Sequence, residues 1–252
     1  MGVISTAGHR LARTGALDRA ASDLAALADA TALMLRGLLQ VFLQDDFAAT
    51  RWVRTRAEAV RDSNDAVRRE LAAIPRMRLS PDKERRWDES MVFSRALEQV
   101  TGTAERVLRD LDARTPASVG EFSSTAVAQV CSLHTLLMHN IRLAANLLLE
   151  READLAQALY AGGRAFQDLR QSYESDQLHW IASGDAGSAA FSAAYPDLFA
   201  HIERMNTQVC SLSACFMPHG RNNDDHPRLS LVVEGSVAPS HGTASGRAIA
   251  AR

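Results

Sequence analysis

Cysteine, proline, glycine and aromatic residues are all infrequent in this chain of 252 residues. The 3 cysteines are too few for a disulfide framework and include no Cys-x-x-Cys pair. With 14 glycines and 7 prolines, the chain is neither collagen-like nor of low complexity. Alanine, leucine and arginine dominate whereas β-branched and aromatic residues are scarce, which favours helices over sheets. We therefore expect a helical protein with reduced cysteines in a cytoplasmic setting.

Long apolar runs are missing as well. The N-terminus has none of the apolar core that is typical of a secretory signal. The stretch 125–149 is strongly apolar, but His134, His139, Asn140 and Arg142 interrupt it, and it falls short of the roughly 18 uninterrupted apolar residues of a transmembrane helix. We predict that no segment of this chain spans a membrane, so that the chain alone could not carry a solute across one.

The net charge is close to neutral, at -2. This excludes a general nucleic-acid binder, which needs a strongly basic domain or face. The charge is nevertheless uneven, because residues 51–87 contain 11 basic and 6 acidic side chains whereas residues 150–217 contain 4 and 9. Solvated helix faces are the simplest explanation. The alternative is electrostatic attraction between the two halves, or between two copies of the protein in a homodimer.

Apolar residues recur at the spacing of an amphipathic helix through most of the chain. Pro75, the turn Ser80-Pro81-Asp82 and Pro116 interrupt this pattern, and Ser118 can cap the helix that follows. Six long helices are predicted, at about 18–44, 47–74, 82–113, from Ser118 to beyond Leu148, 152–182 and 187–217.

The predicted helices repeat. The third and sixth align at an offset of 105 residues, a whole number of heptads, so that apolar residues match and Glu98 falls on Glu203. The second and fifth align less clearly at an offset of 107, where Trp52, predicted to be buried, falls on Leu159. We predict an all-α fold of two tandem three-helix bundles, comprising residues 17–114 and 118–217, followed by a disordered tail, 218–252.

This pattern resembles the PhoU family, in which a helix of each half reads approximately Leu-Glu-Arg-Ile-Gly-Asp. The matching segments here are Leu97-Glu98-Gln99-Val100-Thr101-Gly102 and Ile202-Glu203-Arg204-Met205-Asn206-Thr207. The order of features from Tyr173 to Gln208 is similar to the cytoplasmic C-terminal PhoU-like domain of bacterial sodium-dependent phosphate cotransporters. The resemblance covers about residues 17–217.

The resemblance implies a cytoplasmic regulatory or accessory domain, at the inner face of the plasma membrane, that takes part in phosphate transport. Its partner would be a membrane-embedded transporter domain or another protein. PhoU proteins bind metal clusters through Glu/Asp-x-x-x-Asp motifs, whose carboxylates share a helix face. Glu98 and Glu203 match these motifs, but Gly102 and Thr207 replace the aspartates. The only metal candidates are therefore Glu98 and Glu203, and no other cofactor is expected.

No pattern of catalytic residues is evident. The chain has no Gly-x-Ser-x-Gly elbow, and the pair Gly162-Gly163 falls inside a predicted helix without the Lys-Ser/Thr of a phosphate loop. Cys131 and His134 are three residues apart on the fourth predicted helix and could both bind one metal ion. They lie in its apolar seam, the row of apolar residues along one helix face, and a core role explains them better. We predict that the protein is not an enzyme.

Charged residues at regular spacing have simpler explanations than a site. Arg54, Arg61 and Arg68 recur every seven residues, and we interpret them as a solvated face, with docking on an acidic surface such as lipid headgroups as the alternative. We interpret the acidic pairs at spacing four as ordinary exposed helix carboxylates; they are Glu58/Asp62, Glu84/Asp88 and Glu150/Asp154. The first two pairs also lie among arginines, so that salt bridges account for them.

Two other functions remain open at this point. One is a stand-alone PhoU-type regulator of phosphate signalling that binds metal and a transporter or kinase. The other is a generic helical interaction module whose architecture merely coincides with that of the family.

Overall fold

A computed structural model describes residues 4–44, 47–112, 124–183 and 194–217, with side chains for 15–43, 48–112, 124–176 and 197–217. These residues form helices joined by short turns, with no strand among them, which confirms the all-α prediction. A single 3-10 turn, Arg76–Arg78, precedes the third helix. The helices are α1 (Ile4–Gln44), α2 (Phe47–Ala72), α3 (Pro81–Asp112), α4 (Ser124–Glu150), α5 (Ala153–Ser183), α6 (Ala194–Cys210) and α7 (Ser213–Phe216).

Most of the predicted boundaries agree with the structure. The helices predicted at 47–74, 82–113 and 152–182 correspond to α2, α3 and α5, and each end differs by at most two residues. The first helix begins earlier than predicted, at Ile4. The predicted cap Ser118 and the predicted tail 218–252 lie outside the described residues.

The last predicted helix, 187–217, is wrong as a single element. The described part begins with α6, and the helix stops at Cys210 before resuming as the short α7. Serine hydroxyls explain the break, because Ser211 Oγ donates to the carbonyl of Gln208 at 2.8 Å and Ser213 Oγ donates to the carbonyl of Cys210 at 2.7 Å. Hydroxyls that bond nearby carbonyls compete with the helical pattern.

Two sets of three helices pack together. Helices α2 and α3 both contact α1 and each other, and α5 and α6 both contact α4 and each other. Contacts of α1 with α4 and of α3 with α6 join the two sets. Helices α1, α3, α4 and α6 therefore surround the centre, and α2 and α5 lie to the outside.

The apolar seam predicted for α1 is buried. Twelve apolar residues of this helix, including Leu24, Met34 and Leu35, are at most 9% exposed. The prediction for Trp52 on α2 is wrong, because this side chain is 40% exposed whereas its neighbour Val53 is fully buried. The ring of Trp52 instead covers Gly37 of α1, where a Cβ atom would lie 2.5 Å from the ring.

Burial agrees with one of the two repeat registers. At the offset of 105, Leu97 and Ile202 are both buried, and so are the other apolar residues that this register pairs. The offset of 107 pairs the exposed Trp52 with the buried Leu159. An offset of 106 matches burial better, because it pairs Val53 with Leu159 and then Val60 with Phe166. The division into repeats at 17–114 and 118–217 stays a prediction.

One described helix has the length and hydropathy of a membrane span. It is the segment Gly15–Leu43 of α1, with a mean hydropathy of 1.5 in its most apolar window. Half of that window is buried inside the bundle, and the core helix of a soluble bundle meets the same test. Because α1 contacts α2, α3 and α4, burial in the protein accounts for its hydropathy.

Candidate functional site

An antiparallel ladder of ion pairs joins α2 to α3. The arginines of α2 and the carboxylates of α3 both recur every seven residues, so they meet in order along the two helices. Glu98 accepts a hydrogen bond from Arg68 at 2.7 Å between Nη1 and Oε2. The three pairs are Arg54 with Asp112, Arg61 with Glu105 and Arg68 with Glu98.

These ion pairs decide between the two interpretations of the arginine stripe, which is the series Arg54, Arg61 and Arg68. All three arginines are near the surface and each already has a carboxylate partner, so their charges are largely balanced within the bundle. Exposed pairs of this kind contribute about 0.5 kcal/mol each to stability. The stripe is therefore a solvated face bridged by ion pairs, and it offers little net charge for docking on an acidic surface.

The two metal candidates occupy related positions in the two halves. Glu98 on α3 pairs with Arg68 on α2, and Glu203 on α6 pairs with Arg170 on α5, with 3.2 Å between Nε and Oε1. Arg170 also bonds Glu174 at 2.5 Å. In each half a guanidinium of the outer helix thus lies against the glutamate of the central helix.

This arrangement suits an arginine better than a metal ion. Each glutamate already faces a fixed positive charge, and a cation would have to compete with it. At Gly102, where the family pattern has an aspartate, no described atom of another helix would lie within 4 Å of an added Cβ atom. Within the described ranges, no three His, Cys, Asp or Glu side chains are close enough to hold a metal ion together.

An open groove lies beside the ladder on α2 and α3. It has a volume of about 560 Å³ and is open to solvent. Its walls carry acidic, basic and apolar side chains, so no single ligand charge is favoured. The lining residues are Asp62, Asp65, Arg68, Arg69, Ala72 and Met91.

The acidic pair Glu84/Asp88 forms salt bridges as predicted, although with an arginine that the sequence did not single out. Both carboxylates contact Arg76, at 2.8 Å and 3.0 Å. The guanidinium of Arg76 also lies 5.2 Å from the centroid of Trp87, and Trp87 Nε1 donates to the carbonyl of Leu71. These contacts hold the 3-10 turn against the first turns of α3.

Buried asparagines form contacts that were not predicted from the sequence. Asn140 on α4 is fully buried and donates from Nδ2 to Oδ1 of Asn206 on α6, at 2.8 Å. In the first half, Asn64 Nδ2 donates to the carbonyl of Ser94, and Ser94 Oγ donates to Asn64 Oδ1. An asparagine on the apolar face of a predicted helix was the available signal, because such a group is buried only with a partner.

Gly162 has a packing role on α5. A Cβ atom at this position would lie 2.2 Å from Oδ1 of Asn140. That oxygen has no hydrogen-bond partner among the described side chains and backbone. The glycine therefore allows α5 to approach the Asn140–Asn206 pair closely.

A buried ion pair between the two sets of helices was not predicted either. Glu89 on α3 is only 5% exposed and accepts a hydrogen bond from Arg151 Nη2 at 2.9 Å. Burial raises the pKa of the Glu89 carboxyl, and the positive charge of Arg151 opposes this rise. Burial and then Glu89 raise the pKa of the Cys215 thiol, so Cys215 lies near the same cluster.

His134 has the predicted core role, while Cys131 is only half-buried. His134 Nε2 lies 3.1 Å from the carbonyl oxygen of Leu35 on α1. Burial lowers the pKa of His134, and the hydrogen bond to Leu35 opposes this effect. A separate thiol, that of the half-buried Cys210, has its pKa raised by burial to about 12. These groups are thus uncharged at neutral pH and suited to packing.

Comparison with known proteins identifies partial relatives. No family model matches the chain, so the resemblance to PhoU stays a prediction. The chain is 24% identical over 200 residues to proteins named "Putative inorganic phosphate export protein YjbB" from Escherichia coli (strain K12) and Salmonella typhimurium (strain LT2). The match covers 79% of this chain and 37% of each relative. The chain thus spans little more than a third of these relatives and is homologous to that part of them.

Proposed function

We propose that this protein is a regulatory or accessory module of phosphate transport. The similarity to proteins named for phosphate export, over 200 residues, is the observation that carries the proposal. It agrees with the resemblance of the two Glu-containing segments to the PhoU family. The match covers 37% of those relatives, and we propose a role beside the transport machinery for the corresponding part.

In its finer form, the proposal places the bundle at the cytoplasmic face of the membrane, beside the membrane-embedded part of a sodium-dependent phosphate cotransporter. Exposed helix surfaces would make the contact, since the central helices are occupied by one another. The described surface supports such a role, because long rigid helices present many side chains in fixed positions. The phosphate status of the cell would then alter this contact.

The proposal includes no catalysis and no required metal. The surroundings of the groups with shifted pKa values support this part of the proposal. Glu89 is paired with Arg151, His134 faces a backbone carbonyl, and Cys210 is half-buried with a pKa raised to about 12. A catalytic group needs access to a substrate as well as a suitable pKa, and these groups support packing instead.

The runner-up is a stand-alone PhoU-type regulator that binds metal and a transporter or kinase. It requires Glu98 or Glu203 to exchange its arginine for a cation. Elemental analysis of protein purified without chelators, after loading with manganese, iron or zinc, separates the two. Stoichiometric metal that is lost in Glu98→Gln and Glu203→Gln favours the runner-up, and its absence favours the metal-free role.

In-cell cross-linking tests the proposed partner. The protein carrying a photoreactive residue at an exposed position, such as Thr55 or Glu58 on α2, is irradiated in cells grown with high and low phosphate. Mass spectrometry should identify a phosphate transport protein as the main product, in an amount that depends on phosphate. Cross-links that include no phosphate transport protein from several positions around the bundle would contradict the proposal.

A further inference from the structure

A small surface formed by α1 and α2 combines exposed apolar side chains with arginines. We call it the Trp52 patch and define it as Leu33, Arg36, Gln40, Trp52 and Arg56. Trp52 is 40% exposed and Leu33 is 42% exposed, and they are two of the seven large apolar side chains that are exposed in the described part of the chain. Such exposed apolar side chains beside charges mark candidate interaction surfaces.

The patch is continuous across the two helices. The Trp52 ring lies over Gly37 of α1. Leu33 and Gln40 lie one helical turn on either side of Gly37 and so flank the ring. Arg56, one turn along α2, stacks on Trp52 with its guanidinium carbon 5.5 Å from the ring centroid.

The arginines of this patch differ from those of the ladder. Arg54, Arg61 and Arg68 each have a carboxylate partner. Arg36 and Arg56 have no ion pair within the described part of the chain. Both are exposed. Their positive charge is therefore available to a partner outside the bundle.

Few acidic residues occur in the sequence around the patch. None occurs from 30 to 44 or from 47 to 57, and Asp29 and Glu58 border these segments. On α1, Asp29 is seven residues from Arg36, which is about 10 Å along the helix and more than the Debye length of about 8 Å at physiological salt. Glu58 is two residues from Arg56 on α2, a spacing at which side chains do not face each other. These two carboxylates therefore only weakly reduce the positive potential at Arg36 and Arg56.

We propose that the Trp52 patch docks on the headgroup region of a membrane that contains anionic lipids. A tryptophan at the headgroup level, a leucine beside it and arginines around them suit this environment. A stable protein interface contains about 20–30 residues of each partner, many more than the five that define this patch. The inference goes beyond the proposed function, which would hold equally if the bundle contacted only protein.

The overall charge of the protein restricts lipid binding to a local surface. At a net charge of -2 the whole protein is not attracted to anionic lipid, so binding has to come from a local surface. Few groups contribute, and the affinity of the isolated protein will be low. Contact of this strength orients a bundle that is already held near the membrane by a partner.

Vesicle sedimentation with the full chain tests the proposal. Vesicles of phosphatidylglycerol should retain more protein than vesicles of phosphatidylcholine, and salt should reduce the difference. Arg36→Gln and Arg56→Gln should each weaken binding about fivefold. Arg61→Gln is the matched control, since it makes the same change in net charge at a paired residue, and it should retain binding within about twofold.

Brominated lipid gives a second readout that is specific for position. Brominated phosphatidylglycerol should quench part of the tryptophan fluorescence of the native protein, and Trp52→Phe should remove that quenching while sedimentation persists. Equal binding to both lipids, or equal losses in Arg56→Gln and Arg61→Gln, would overturn the proposal. So would a dimer in light scattering that Trp52→Ala converts to a monomer, because the patch would then be an interface between copies. None of these results would alter the expected link to phosphate transport.

Discussion

Arg151 connects the end of α4 to Glu89 in the third turn of α3, with 2.9 Å between the guanidinium and the carboxylate. Arg151 has a φ of 60°, a left-handed conformation that glycine adopts more easily, and its backbone N–H bonds the carbonyl of Leu147 as a helix cap. An arginine in this place costs roughly 1 kcal/mol relative to glycine. The strained backbone aims its side chain at the buried carboxylate and so ties the two sets of helices together.

Removing Arg151 should destabilise the protein strongly. Arg151→Ala leaves the carboxylate of Glu89 buried without its partner, and we expect a loss of about 3 kcal/mol in the free energy of unfolding at pH 7. Glu89→Gln should cost less, because Arg151 is partly exposed and can turn to water. Urea denaturation of both variants measures the difference. Equal losses below about 1 kcal/mol would show that the pair contributes little.

The cost of Arg151→Ala should also depend on pH. Glu89 has a folded-state pKa above its ordinary value of 4.5, and removal of the arginine raises that pKa further. The folded variant then holds a proton more tightly than the unfolded chain, so its stability rises as pH falls through this window. Urea denaturation at pH 7 and pH 5.5 should show a smaller difference from the native protein at the lower pH. A constant difference would place the cost in packing alone.

His134 should give the opposite pH dependence. Its folded-state pKa is lower than the ordinary 6.5 because of burial, so the unfolded chain binds the proton more readily. Its contribution to stability is present above pH 6.5 and is lost as pH falls below that value, by at most about 1.4 kcal/mol per pH unit. His134→Gln keeps a donor near Leu35 but should remove this dependence of stability on pH. If the free energy of unfolding of the variant, measured by denaturation from pH 7.5 to 5.5, changes with pH as in the native protein, other groups cause the dependence.

Two glycine substitutions should have opposite effects. Gly162→Ala places a methyl group 2.2 Å from Asn140 Oδ1, and Asn140 cannot move without losing its bond to Asn206. We expect a loss of about 1–3 kcal/mol. Gly102→Ala on α3 meets no atom within 4 Å and should stabilise the helix by up to about 1 kcal/mol. Thermal denaturation of both variants measures these effects, and each variant is the control for the other. Stabilisation by both would show that the Asn140 site is loosely packed.

Cys210 should resist alkylation in the folded protein. With a pKa of about 12, only about one thiol in ten thousand is ionised at pH 8, and the thiolate is the reactive form. Iodoacetamide labelling followed by mass spectrometry should modify Cys210 only after denaturation. Rapid labelling under native conditions would mean that α6 opens locally away from α5.

The periodic features were predictable from the sequence, and the reason is geometric. Burial of one helix stripe fixes the spacing of apolar residues, so the seams of α1, α3 and α4 could be located. The heptad series of arginines at 54, 61 and 68 was recognised in the sequence, and the carboxylates at 98, 105 and 112 recur in the same way although they were not singled out. Their pairing required the further knowledge that α2 and α3 are antiparallel neighbours.

Single long-range contacts were not predictable in the same way. No periodicity relates Glu89 to Arg151, which are 62 residues apart, and the left-handed backbone at Arg151 has no sequence signal when glycine is absent. Trp52 was placed in the core because it is apolar and close to the seam. Gly37 explains its actual position, since the missing side chain on α1 creates the surface that the ring covers.

Phosphate flux in the source organism tests the central claim, a role in phosphate transport, most directly. Uptake and efflux of radioactive phosphate are compared in cells that contain the native gene, a deletion, and the deletion complemented by the native or the Gly102→Ala chain, in sodium and in potassium buffer. We predict that deletion changes flux in the sodium buffer and that both complementing chains restore it. Identical flux with and without the gene in both buffers, at high and low phosphate, would contradict the claim.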